Sequence, residues 1–202
     1  MTTKFNTWVL GMDNGVSGSF ALMNPAGKIV LFAHVPTYKE NKWTKPKVKK
    51  LKSGKKVVHD QITLIDIDAL QRMLVPYSSV INDIHCFLER PAISYAAAWS
   101  MQTSISASMS WASVVYVLKK LRIPRTDIDS REWQKILIPE AMGENNKEYM
   151  KTLKAGDRNK LLKEASDMNA KAIYPKFHGK ELGDGDSINI CDFGRKRLMG
   201  VV

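Results

Sequence analysis

Four carboxylates in this chain, Asp13, Glu89, Asp184 and Asp186, each close an apolar strand-like run or open a helix, although they come from opposite ends of the sequence. Carboxylate oxygens are preferred ligands of hard divalent cations, so a fold that gathers these side chains would own a metal site. Such a site suits attack on a phosphodiester. The ester's charge repels a nucleophile and its leaving alkoxide is poor; two cations roughly 3.5–4 Å apart answer both problems, one by activating water and one by steadying the departing oxygen. The acids must then converge, and their mutual repulsion is tolerable only with the cations present. Taken singly, an acid at a strand end solvates a turn as readily as it binds a metal; several at apolar strand ends favour the metal.

The elements that must position these acids can be read from periodicity. Residues 7–12 (TWVLGM), 19–23 and 28–35 are three β-rich runs separated by Asp13-Asn14-Gly15 and by Asn24-Pro25-Ala26-Gly27, which predicts an antiparallel meander. Residues 84–88 predict a short buried strand ending at Glu89-Arg90-Pro91, where the proline stops pairing. If the first and fourth of these strands are neighbours, Asp13 and Glu89 stand side by side. Leu64, Ile67, Leu70 and Leu74 have helical spacing over 64–75. Residues 96–121 read as a long helix with Ile105, Met109, Ala112, Val115 and Leu118 in one stripe; Ser100, Ser104 and Ser108 leave another face small enough for close approach to a partner helix or to DNA.

Residues 125–129 predict a last strand, and 131–138 a short helix holding Trp133, read as core, and Lys135. Residues 157–172 predict a helix capped by Asp157 with Leu161, Leu162 and Ala165 on its apolar face, and a terminal helix begins near Asp184. This order is that of an α/β layer architecture with a mixed sheet. At 202 residues, without repeats, a single domain is expected.

A formal charge of +11 points to an anionic partner, and nucleic acid is the commonest. A membrane surface has no amphipathic anchor here to support it. No signal pattern or bilayer-spanning apolar run is present, so cytoplasmic residence is expected. Between Tyr38 and Lys56 nine lysines surround Trp43, Pro46, Ser53 and Gly54, which predicts an exposed loop or flexible hairpin. Lys45, Lys47, Lys49, Lys50, Lys52, Lys55 and Lys56 would neutralise DNA phosphates and make binding steeply salt-dependent; a solvated charge run is the alternative. Residues 139–156 are polar and aperiodic, and a mobile loop is expected there. Arg90, Lys180, Arg195, Lys196 and Arg197 extend the basic set, the last three also suiting the negative end of a helix. Tyr95 and Trp99 start the long helix near Glu89. Cys86 and Cys191 read as small buried hydrophobes. His34, His59, His85 and His178 lack metal-ligand spacing, with His178 near enough to the terminal acids to assist proton transfer.

GMDNGVSGSFALM, CFLERP, DSREWQKIL and DGDSINICDFGRKR resemble, in the same order and over most of the chain, the successive motifs of RuvC-type Holliday-junction resolvases, particularly the bacteriophage branch. Residues 38–60 and 139–156 then stand as insertions. The resemblance implies a ribonuclease-H-like fold with a five-stranded mixed sheet flanked by helices. It implies a homodimer using two Mg2+ ions per site, with Mn2+ as substitute, and paired nicks across a four-way DNA junction, in the cytoplasm of a bacterial host if the chain is phage-encoded. The family's catalytic acids carry over onto Asp13, Glu89 and Asp186, and its tryptophan-lysine element onto Trp133 and Lys135, with Ser130 where a proline is usual.

Two departures stand out. The family's additional Asp falls three or four positions before the helical one, where this chain has Gly183 and Leu182. Asp184 precedes Asp186 by two, and neighbours two apart do not share a helix face. Asp184 therefore serves only at or before the helix cap, a role it could equally fill by itself. Asn14 replaces the usual proline after the first Asp. Dimerisation through residues 96–121 would set two sites at the spacing of a symmetric substrate. A less selective nuclease for forks, flaps or branched DNA, and a non-catalytic DNA-binding protein of this fold, are the competing readings.

Overall fold

The computed structural model describes residues 5–13, 15–42, 47–51, 54–58, 61–91, 101–142, 152, 154–177 and 185–202, with backbone alone for 47–51, 54–58, 101–104, 137–142, 155, 158 and 159. In chain order its elements are β1 (Trp8–Met12), β2 (Ser19–Met23), β3 (Ile29–His34), β4 (Thr37–Asn41), β5 (Lys47–Leu51), β6 (Gly54–Val58), β7 (Gln61–Ile65), α1 (Ile67–Leu74), a 3-10 stretch (Val75–Asp83), β8 (Ile84–Glu89), α2 (Met101–Lys120), β9 (Arg125–Ile128), α3 (Ser130–Met142), α4 (Ala155–Ile173) and α5 (Asp186–Leu198).

The main sheet has the order β3-β2-β1-β8-β9. The first three strands pair antiparallel, as the turn residues between them require, while β1–β8 and β8–β9 pair parallel. Apolar alternation divides the sheet into two faces. Leu10, Met12, Phe20, Leu22, Cys86 and Leu88 bury against α1 and α2 through Leu70, Leu74, Val114, Val117 and Leu118. Val9, Ala21, Met23 and Phe87 bury on the other face against Trp133, Ala170, Ile188, Cys191 and Phe193 of α3, α4 and α5. Full burial of such a side chain contributes about 1.5–3 kcal/mol, so the two layers together hold the sheet.

Helix α5 lies closer to β1 than side chains normally permit. A Cβ on Gly11 would sit 2.3 Å from the Ser187 carbonyl oxygen and 2.7 Å from the Cys191 nitrogen, so only glycine admits the helix. Gly194 gives the same clearance to Phe87. Cys191 Sγ accepts the Gly11 N–H at 3.1 Å, and the Ser19 and Ser187 hydroxyls lie 2.8 Å apart, locking the register of helix on sheet.

Several expected boundaries shift. The lysine-rich segment takes the hairpin alternative over a loop: β5 pairs antiparallel with β6, β4 pairs with β7 in a separate two-stranded ladder, and β4 is exposed throughout, outside the core as expected. Leu64 belongs to β7 and not to a helix, because Asp66 caps α1 by accepting the Ala69 N–H at 2.8 Å. The expected apolar stripe of α2 is buried only at its C-terminal end. Leu118 is buried and Val115 packs against the core, while Ile105, Met109 and Ala112 are exposed, and the helix also buries Ser110, Val114 and Val117. Helix α3 continues to Met142, and α4 begins at Ala155 after the cap residue Lys154, so 139–156 is not one loop and Asp157 lies in the first turn. Residues 143–151 and 153 fall outside the described set. Among the described residues no helix is long and apolar enough to cross a membrane.

Candidate active site

Met12 of β1 stands opposite Leu88 of β8, so Asp13 and Glu89 leave the carboxyl ends of two parallel neighbours at the same level. Asp13 continues the series Val9, Gly11, and Glu89 follows Phe87 by two. Period-two alternation therefore puts both on the face that α5 crosses. The chain turns tightly after Asp13: the Asp13 N–H donates to Ser19 O at 3.0 Å, and a Cβ on Gly18 would meet the Asp13 carbonyl oxygen at 2.6 Å. Asp186 is the first residue of α5, delivered to this edge by the Gly11 contact one turn along.

Electrostatics report the convergence. Burial pushes the Glu89 carboxyl up to about 8, the neighbouring Asp13 carboxylate adds to the shift, and Asp186 and Asp129 act in the same direction. The Trp133 indole N–H opposes it, donating to Glu89 Oε2 at 2.9 Å. Trp133 is buried, as its expected place in the core requires, but its hydrogen bond to Glu89 is a positioning role that sequence reading missed. The available signal was chemical: a buried indole N–H needs an acceptor.

Asp129 was missed as well. It follows β9, whose Ile128 is in register with Glu89, and it caps α3 reciprocally: its carboxylate accepts the Arg131 N–H at 2.9 Å while Glu132 accepts the Asp129 N–H at 3.0 Å.

Asp184 lies outside the described residues, as do Lys45, Lys52, His59, His178, Lys180, Trp43, Tyr95 and Trp99. Lys47, Lys49 and Lys50 occupy β5, and Lys55 and Lys56 occupy β6. Arg90, directly after Glu89, and Lys135, one residue beyond the neighbour of Trp133 on α3, are exposed. At the end of α5, Arg195 stacks over Phe5, Lys196 pairs with Asp192 at 3.0 Å, and Arg197 pairs with Glu132 at 3.1 Å. His85 lies 2.8 Å from Thr126 Oγ1 and burial lowers its pKa, a structural placement. The free thiols Cys86 and Cys191 are buried, and burial pushes both upward, so neither is a ready nucleophile.

Among the described residues no group of three or more His, Cys, Asp or Glu side chains already stands at metal-holding spacing. The donor chemistry nonetheless fits a hard divalent cation, because carboxylates crowded at a partly buried strand edge are what positive charge would relieve.

No protein-family model matches the chain, and no curated protein matches it. Among solved structures it is similar to RuvC of Thermus thermophilus, with a TM-score of 0.50 and 8% identity over 96% of this chain and 98% of that one. It is also similar to T. thermophilus RuvC in complex with Holliday junction substrate, with a TM-score of 0.49 and 10% identity over 97% of this chain and 98% of that one. The first likeness establishes the fold as ribonuclease-H-like, a five-stranded mixed sheet flanked by helices.

The raised Glu89 pKa has a thermodynamic consequence. The folded state holds a proton that the unfolded chain releases near its ordinary value of 4.5, so this group's stabilisation is full below that pH and is lost as pH rises through about 8. In metal-free protein Glu89→Gln should leave Tm nearly unchanged at pH 5 and raise it by about 2–8 °C at pH 8.5. Calorimetry in chelator at the two pH values checks this; an equal effect at both would show that Glu89 is not held protonated.

Proposed function

We propose that the chain is a divalent-metal-dependent endonuclease that resolves four-way DNA junctions by paired symmetric nicks. The observation that carries this reading is the meeting of Asp13 and Glu89 at adjacent parallel strand ends with Asp186 in electrostatic reach. The ordered motifs, the ribonuclease-H-like fold and the net charge of +11 support it.

In this reading Asp13, Glu89 and Asp186 hold two Mg2+ ions, or Mn2+ in their place, with Asp184 as the further ligand. The cations would supply an activated water and stabilisation of the leaving oxygen, giving 5′-phosphate and 3′-hydroxyl ends. Trp133 keeps Glu89 oriented, and exposed Arg90, directly after Glu89, and exposed Lys135 on α3 attract the scissile strand.

The lysine ribbon binds the flanking duplex. Lys49 stands opposite Lys56 and Lys50 opposite Lys55, and no acid lies between Glu40 and Asp60. Directly opposed like charges weaken a ladder, and a phosphate backbone relieves them. The chain is then one nuclease domain with the β5–β6 ribbon inserted, acting in the cytoplasm that holds its DNA, a bacterial host's if the chain is phage-encoded.

A second copy covers α2. Ile105, Met109 and Tyr116 are 51%, 44% and 54% exposed, and with exposed Ala112 they recur at spacings of four, three and four, the pattern of a helix-pairing seam. A non-catalytic DNA-binding protein is the second reading, favoured by the lack of a ready three-ligand cluster among the described residues.

Asp13→Asn should lower Mg2+-dependent junction cleavage by at least about 1000-fold while junction binding stays within about 2-fold, because the substitution removes ligand charge and leaves the basic surface. Cleavage assays on junction, fork and linear duplex at one salt concentration read this out. Retained cutting refutes the acid site, equal cutting of all three substrates indicates the less selective nuclease, and wild type that binds without cutting indicates the non-catalytic reading.

Met109→Glu combined with Tyr116→Glu should convert a dimer to the 22.8 kDa monomer in sedimentation equilibrium, with an unchanged far-UV spectrum. A wild-type monomer at every concentration would contradict the seam.

A further inference from the structure

A chain of neutral hydrogen bonds runs through the seam between α4 and α5 and ends on Asp186. Asn169 Nδ2 donates to Asn189 Oδ1 at 2.8 Å. Asn189 Nδ2 donates to the Ser166 carbonyl oxygen at 2.9 Å and to Ser166 Oγ at 2.7 Å, and Ser166 Oγ donates to Asp186 Oδ1 at 2.5 Å. The direction of this chain is fixed. The Ser166 carbonyl can only accept, so the Asn189 atom facing it is the amide nitrogen. That nitrogen occupies a lone pair of Oγ, which leaves the hydroxyl proton for the carboxylate.

Ser166 and Asn189 are 3% and 0% exposed, so these groups must find partners inside the protein, and the network is fully satisfied. The backbone is tied down beside it. Gly185 N–H donates to Asp167 Oδ1 at 3.0 Å, and a Cβ on Gly185 would lie 2.5 Å from the Ala170 Cβ, so α4 sits directly against the residue preceding Asp186.

We infer that Ser166, oriented by Asn189 and Asn169, is a positioning residue that sets the Asp186 carboxylate for cation binding. This rests on the proposed metal site. A neutral donor fixes the carboxylate without spending its charge, whereas a lysine or arginine in the same place would compete with the cation.

The test is Mn2+ binding by titration calorimetry in the full-length protein without DNA, for wild type, Ser166→Ala, Asp186→Asn and the double variant. Ser166→Ala should weaken Mn2+ binding about 10-fold and have no further effect in the Asp186→Asn background. The half-saturating Mg2+ concentration for cleavage should rise in parallel, with junction affinity unchanged. If Ser166→Ala does not fold, Asn169→Ala, two hydrogen bonds further from the acid than Ser166, should weaken binding about 3-fold in the same direction.

Wild-type affinity in Ser166→Ala, or in Asn169→Ala where that is the variant used, overturns the role of Ser166 alone, as does an equal Ser166→Ala effect with and without the Asp186 carboxylate. Wild type that binds no Mn2+ overturns the metal reading and this inference together.

Discussion

Residue 11 has no side chain, and the geometry of the acidic edge follows from that. Helix α5 approaches β1 so closely that its backbone occupies the space a Cβ would need, and the Cys191 thiol takes up the Gly11 N–H that the contact would otherwise bury unpaired. This contact brings residue 186 to the ends of strands that carry residues 13 and 89, across more than 170 positions of sequence. An alanine at 11 would push the helix outward and separate the acid at its start from the acids on the sheet.

The convergence is electrostatically costly. Burial raises the pKa of Glu89 first, and the carboxylates of Asp13 and Asp186 add to the shift. Two of the acids are held by neutral donors, an indole on Glu89 from α3 and a hydroxyl on Asp186 from α4. Neutral donors restrict where a carboxylate points while leaving its charge available. Among the described residues, cationic side chains stand on the lysine ribbon, at Arg90 next to Glu89, at Lys135 on α3, and in ion pairs at the end of α5.

Much of the sheet was legible because its information is local. Period-two alternation and the turn residues mark the meander, and an acid after an apolar run marks each strand end. The face of α2 was misread for a physical reason. The helix carries two apolar sides, one packed on the sheet and one exposed at Ile105, Met109 and Tyr116, so periodicity alone could not choose between them. Strand β4 is exposed throughout, so no apolar alternation announced it. The start of α1 had a readable signal in Asp66, but the leucine spacing ran through it. The hydrogen bonds of Trp133, Ser166 and Asn189 join residues 20 to 44 positions apart and leave no local pattern.

The central claim is that folding assembles the carboxylates of Asp13, Glu89 and Asp186 into a cation-binding centre. Crystals soaked in millimolar Mn2+, with data collected at the manganese absorption edge, test it most directly. The account predicts anomalous peaks within about 2.3 Å of oxygens from all three residues. Peaks confined to other surfaces, with the three carboxylates bare, would contradict it.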